Sequence, residues 1–179
     1  MHKVSRWLAG RASVAEALAR RRVPLGFLCA AIALWLARPT AGSLAIGSIV
    51  ALVGELLRIW AAGHLEKGRE VTVSGPYQFT RHPLYVGSSI IGAGIAIASA
   101  SAIVAALTAG YLIITLSAAI STEEKHLTEK FGGAYPAYRD GRGSAAARRF
   151  SAARAWSNRE YRAVAGLGAA LALLVLKAL

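Results

Sequence analysis

Five stretches of this chain are apolar enough, and nearly free enough of charge, to leave water, and they narrow the choice of fold more than any other feature. They run over Val23–Ala37, Ala41–Gly63, Tyr85–Ala100, Ala102–Ser121 and Ala163–Leu179. A bilayer core of about 30 Å calls for roughly 20 apolar residues per helix. The third and fourth runs form one stretch too long for a single crossing, with Ser99-Ala100-Ser101 as the tight turn between them. The expectation is an all-α, polytopic membrane helix bundle of about five transmembrane helices, one membrane domain over residues 1–179. In it, residues 1–22 form a basic interfacial arm and 23–121 the first four helices with a loop at 64–84. Residues 122–162 form a cytoplasmic segment and 163–179 the fifth helix.

Charge supports the same division. The chain carries a formal +12 beside 55% hydrophobic residues, and the charge is segregated between the apolar runs. Lys3, Arg6, Arg11, Arg20, Arg21 and Arg22 precede the first run, Lys67, Arg69 and Arg81 follow the second, and nine more basic residues lie in 122–162. The opposite loops hold only Arg38. Under the positive-inside rule this puts the N-terminus in the cytoplasm and, after five crossings, the C-terminus outside. Juxtamembrane basic residues attract anionic lipid headgroups, so the charge is no argument for nucleic acid. A secretory signal is a poor reading of the first run, because its basic leader is too long and no small-x-small cleavage site leads into a soluble domain. Cys29 is the lone cysteine, which excludes a disulfide framework.

Residues 3–22, with Trp7, Leu8, Val14, Ala15 and Leu18 on one side, read as an amphipathic helix lying in the interface. Residues 144–162, with Phe150, Trp156 and Tyr161 among five arginines, read the same way. Two other polar stretches are not simple anchors: HLEKGREVTVSGPYQFTRHPLY from His64 and STEEKHLTEKFGGAYPAY from Ser121. Gly75-Pro76 is a turn signal, and Pro83 suits the first turn of a helix. The tight turn between the third and fourth helices makes them an antiparallel pair, so Arg81, His82, Tyr85, Glu123 and Glu124 converge at one mouth. Ionisable and aromatic side chains gathered there suit a ligand site. An interfacial belt beside a solvated charge run is the plainer account of the same residues.

The string RHPLYVG, preceded by SGPY and followed after one hairpin by EE, FG and Tyr-x-x-Tyr, resembles the membrane methyltransferases that include isoprenylcysteine carboxyl methyltransferase. Phospholipid N-methyltransferases are more distant relatives in that resemblance. It covers roughly Glu55 to Tyr138; the first two helices and the last match only as hydrophobic segments. It implies that S-adenosylmethionine is held by Glu70, Val71 and Thr72 through backbone, by Tyr77, by His82, Pro83, Leu84 and Tyr85, and by Glu123. A carboxylate can accept from the ribose hydroxyls and ammonium of such a cofactor, and an aromatic face attracts its sulfonium. No Rossmann sheet is expected. Gly92-Ala93-Gly94 lies inside a membrane helix and lacks the third glycine of a nucleotide loop, so it reads as a packing device.

The implied reaction is direct methyl transfer, in which the protein aligns donor and acceptor and excludes water. A carboxylate acceptor needs no general base, whereas an amine must first lose a proton. The acceptor is a lipophilic small molecule or prenyl-like group reached from the membrane lipids. Glu55 and Arg58 share a helix face inside the second run, where charge is costly. They form either a mutual salt bridge or an acceptor-orienting pair in which Arg58 holds an anionic group. Where the isoprenylcysteine enzymes have a substrate-binding Arg, four residues before the cofactor Glu, this chain has Ala119, which weakens the prenylcysteine reading. A phospholipid or amine N-methyltransferase and a thiol S-methyltransferase remain open, as does a scaffold or transporter without chemistry. Glu123-x-x-His126 has the spacing of a helix metal-ligand pair, but with one copy no metal site is expected, and oligomeric state is not readable.

Overall fold

The computed structural model describes residue 21 and residues 24–142 and 148–179, and among them there are helices and no strands. The chain is an all-helical membrane bundle. The helices are α1 (Pro24–Leu36), α2 (Ala41–His64), α3 (Pro83–Ala98), α4 (Ala102–Phe131), α5 (Ala134–Arg139), α6 (Ala152–Ser157) and α7 (Tyr161–Ala178), with a short 3-10 helix at Gly75–Gln78. Of these, α2, α4 and α7 are long and apolar enough to cross a membrane, while α1 and α3 are apolar but shorter. Large apolar side chains such as Trp35, Ile49, Ile113 and Leu176 face outward, which suits a lipid surround. The expected interfacial arm at 1–22 lies almost wholly outside the described residues.

Two boundaries differ clearly from the hydropathy reading. The third helix begins at Pro83, which fills its first position, with His82 as N-cap. The fourth continues past Ser121 to Phe131, carrying Glu123 and Glu124 on regular helix. The turn is where expected, and Ala100 adopts a left-handed φ of 47° there.

The principal partner of α3 is α2, not α4. The reason is glycine. A Cβ on Gly94 would stand 2.6 Å from the Gly47 carbonyl, and one on Gly54 would stand 2.7 Å from the Gly87 carbonyl. Backbones approach this closely only where small residues face each other. On its other side Gly92 makes room for Leu112 and Thr108 of α4. The Gly-Ala-Gly string is therefore a packing device with two faces.

One end of the bundle is apolar and tightly tied. The Arg38 amide donates to the Ser99 carbonyl at 2.7 Å, and Ser43 Oγ donates to the Ala98 carbonyl at 3.1 Å. Thr40 and Ser43 form a capping box on α2, which satisfies amides that no helical carbonyl can reach. Lys177 at the end of α7 donates to the Leu34 and Trp35 carbonyls, both at 2.6 Å, at the end of α1. Ala37, Ala98 and Leu174 close this end as a small core.

The opposite end holds most of the basic residues among those described. The segment from Arg148 to Asn158 is not the single surface helix expected over 144–162, whose residues 144–147 lie outside the described chain. It is a strap with the short α6, and it covers the end of α2. The Ser151 amide and Arg154 donate to the Gly63 carbonyl, and Asn158 Nδ2 donates to the carbonyls of Ala62 and Leu65, both at 2.9 Å. These are carbonyls that a helix end leaves without internal partners. The Phe150 ring lies where a side chain on Gly63 would be.

Candidate active site

The loop between α2 and α3 folds back onto the end of α2, and its SGPY string explains how. His64 Nδ1 lies 3.1 Å from Ser74 Oγ. Gly75 has a φ of 59°, and its backbone is pressed against the His64 ring so closely that a Cβ would collide with it. Pro76 and Tyr77 are buried within the following 3-10 turn. Thr72 Oγ1 accepts from the Glu66 amide at 3.1 Å, and Glu70 pairs with Arg148 at 2.7 Å. The Tyr138 hydroxyl of α5 donates to the Tyr77 carbonyl at 2.6 Å.

That fold delivers the RHP string to α4. His82 Nε2 lies 3.2 Å from Glu124 Oε1, and Arg81 pairs with the same oxygen at 3.0 Å. His82 Nδ1 is 4.0 Å from Glu123 Oε2. The His82 ring stacks on Tyr85 with centroids 5.6 Å apart. The expected convergence of Arg81, His82, Tyr85, Glu123 and Glu124 is thus present, with a division of labour between the two acids. Glu124 is the structural clasp. Glu123, with 44% of its side chain exposed and His82 beyond hydrogen-bond distance, presents its carboxylate at the mouth.

Burial tends to raise the Glu124 carboxyl, but the His82 hydrogen bond and the Arg81 charge outweigh it and hold the group below its ordinary range. Tyr135 of α5 is buried beside this clasp, and burial, then the Glu124 charge, push its phenol up to about 12. Burial likewise raises the Tyr77 phenol, and the charges of Glu123 and Glu160 add to it. Tyr77 therefore stays protonated at neutral pH, a donor within electrostatic reach of both acids.

Glu160 belongs to a second cluster. Arg58 Nε donates to Glu160 Oε1 at 2.7 Å, Nη1 donates to Ser88 Oγ and to the Leu84 carbonyl, and Glu55 Oε2 lies 3.9 Å from Nε. The expected Glu55–Arg58 pair is therefore loose, and the close partner of Arg58 comes from the start of α7. Gly87, the last residue of RHPLYVG, makes room for the Arg58 stem. Through Leu84 and Gly87, Arg58 braces the first turns of α3, directly below His82 and Tyr85. The motif and the intramembrane charges form one continuous site.

Of the residues singled out from sequence, the structure brings together Tyr77, His82, Tyr85 and Glu123 at the mouth, with Pro83 buried and Leu84 half-buried in the first turn of α3. Glu55 and Arg58 lie beneath them. Glu70, half-buried Val71 and buried Thr72 belong to the folded-back loop, where the Glu70 carboxylate and the Thr72 hydroxyl already have partners. Glu160 and Ser88 went unnoticed in the sequence, and Gly87 entered only as the last residue of the motif. Glu160 did carry a signal, as the sole acid among the arginines of residues 148–162. An open cleft of about 570 Å³ runs along α4 beside the clasp, lined by Ser121, Glu124, Thr128, Tyr135 and Arg139 among others. Among the described residues, no three His, Cys, Asp or Glu side chains are grouped to hold a metal ion.

Residues 22–134 match a family model described as phospholipid methyltransferase. The match takes in α1 to α4, including the two N-terminal helices that the motif resemblance leaves as plain hydrophobic segments. No curated protein and no solved structure matches the chain.

Proposed function

The chain belongs to the phospholipid methyltransferase family and is a membrane methyltransferase; from that premise we propose that it methylates a lipophilic acceptor from S-adenosylmethionine at the mouth formed by α3 and α4. The observation that carries this reading is the His82–Tyr85 stack set against the exposed Glu123 carboxylate. The chemistry of these groups fits the cofactor. Glu123 would accept from ribose hydroxyls or the ammonium, Tyr85 would offer a ring face to the cationic end, and Tyr77 would donate from its neutral phenol. The backbone of Glu70, Val71 and Thr72 would line the loop side. When bound, S-adenosylmethionine supplies a methyl group already activated as a sulfonium. The protein's task is then to hold the acceptor in line and keep water out.

The acceptor reading divides on two observations. The spacing of RHPLYVG to the Glu pair supports an isoprenylcysteine-type carboxyl acceptor. Ala119, together with the engagement of Arg58 by Glu160, supports a nitrogen acceptor instead, because the Arg58 guanidinium is already committed to a carboxylate of the chain. The basic residues at the site end support a cytoplasmic working face under the positive-inside rule.

The test is calorimetric titration of S-adenosylmethionine into the detergent-purified chain. Binding should be lost in His82→Ala and Glu123→Ala and kept in Lys3→Ala. A parent protein that binds none would overturn the cofactor reading. Labelled cofactor supplied to membranes then identifies the acceptor: a base-labile methyl ester marks a carboxylate, and a base-stable product marks nitrogen or sulfur.

A further inference from the structure

Among the described residues, Glu55 is the carboxylate that is buried with neither oxygen hydrogen-bonded. Only 4% of the residue is exposed. The cation beside it, Arg58, is 3.9 Å away and gives that same nitrogen to Glu160 at 2.7 Å. Two carboxylates therefore share one guanidinium, and the less well served of the two is the deeper. An unmet buried polar group costs about 1–3 kcal/mol, more when charged, and such groups in a native protein call for a functional account. Glu55 lies nine residues before the end of α2, about 13 Å along the helix axis. Its neighbour Gly54 packs on Gly87 and Ile91. The carboxylate is thus placed beneath the first turns of α3, on the membrane side of the His82–Tyr85 stack.

We infer that Glu55 accepts the hydrogen bond, and then the proton, of a protonated nitrogen on the methyl acceptor. The inference rests on the methyltransferase reading above and reverses the expectation that Arg58 is the acceptor contact. Arg58 and Glu160 are positioning residues. They hold the Glu55 carboxylate near a positive charge without consuming its lone pairs. An ammonium N–H passes its proton to a Glu55 oxygen, leaving a neutral amine and a carboxylic acid. The freed nitrogen lone pair forms the new N–C bond as the sulfonium C–S bond breaks to a neutral thioether. The product leaves as a methylated ammonium, and Glu55 returns its proton to water. The charged groups beside Glu55 are Arg58 on its own helix and Glu160 from α7, while Gly87 and Ser88 of α3 lie against Arg58.

The experiment uses the full chain in detergent with short-chain phosphatidylethanolamine as the amine probe and a prenylated cysteine analogue as the carboxylate probe. Glu55→Gln should bind S-adenosylmethionine as the parent does and bind the amine probe without cofactor about 10-fold more weakly. Its turnover should fall about 100-fold, with loss of the acid limb of the pH–rate profile. Glu55→Asp should recover part of both. Amine binding, rate and pH profile unchanged in Glu55→Gln would overturn the inference, as would a parent that methylates the carboxylate probe alone. A parent that fails to bind S-adenosylmethionine sinks the cofactor reading, and the cofactor-free amine titration still decides the role of Glu55. Should Glu55→Gln not fold, Glu55→Asp decides it: amine affinity weakened while affinity for a non-amine lipid is kept supports the carboxylate contact, and amine affinity and pH profile equal to the parent's overturn it.

Discussion

The stem of Arg58 lies across the backbone of Gly87, where a methyl group would collide with Arg58 Cγ and stand 2.8 Å from the Gly54 carbonyl. Gly87→Ala should therefore cost about 2 kcal/mol through overpacking and displace the guanidinium from Ser88 and Glu160. Thermal unfolding in detergent measures it, against Gly42→Ala, whose Cβ meets nothing within 4 Å. Equal midpoints for the two variants would show that Gly87 is not a close contact.

Tyr138 holds the Tyr77 carbonyl from α5. Removing that hydroxyl in Tyr138→Phe should cost about 1 kcal/mol and loosen the 3-10 turn. Hydrogen exchange should then quicken at the amides of Tyr77, Phe79 and Thr80, which bond within that turn, and cofactor affinity should fall. Exchange at the parent rate would mean that α5 does not brace the loop.

Glu124 is held below its ordinary value of 4.5 in the folded chain; burial opposes this, and the His82 bond and Arg81 charge outweigh it. A carboxyl lowered by folding contributes stability that is full above its unfolded value and is lost as pH falls through its folded value. The parent's thermal midpoint should exceed that of Glu124→Gln near neutrality, and the gap should close on acidification below 4.5. A gap that does not change with pH would refute the clasp as an ionic one.

Asn158 bonds two carbonyls at the end of α2. Asn158→Ala should cost about 2 kcal/mol and raise exchange in the last turn of α2, while Asn158→Asp, lacking the amide donor, should not rescue it. Full stability of the alanine variant would show that the strap is dispensable.

What the sequence made legible was whatever depends on neighbours along the chain. The Ser99–Ser101 turn, the Gly75-Pro76 bend, Pro83 at a helix start and the meeting of His82 with the Glu pair all follow from local chemistry and one short hairpin. The grip of α2 on α3 was not legible, because it depends on which glycines come into register between two uniformly apolar helices. Glu160 was missed because its partner lies 102 residues away. The arginines of the strap read as the polar side of an interfacial helix, since their acceptors are Gly63, Glu66 and Glu70, a carbonyl and two acids with no motif to announce them.

The unequal lengths of α3 and α4 carry one more consequence. With 16 and 30 residues, they rise about 24 and 45 Å from their shared turn, so the bundle ends in a step. His82 stands on the lower tread, with α4 as the riser behind it. On the proposed reading, the head of an acceptor anchored by its tail in lipid would meet His82 on this tread without being lifted into water.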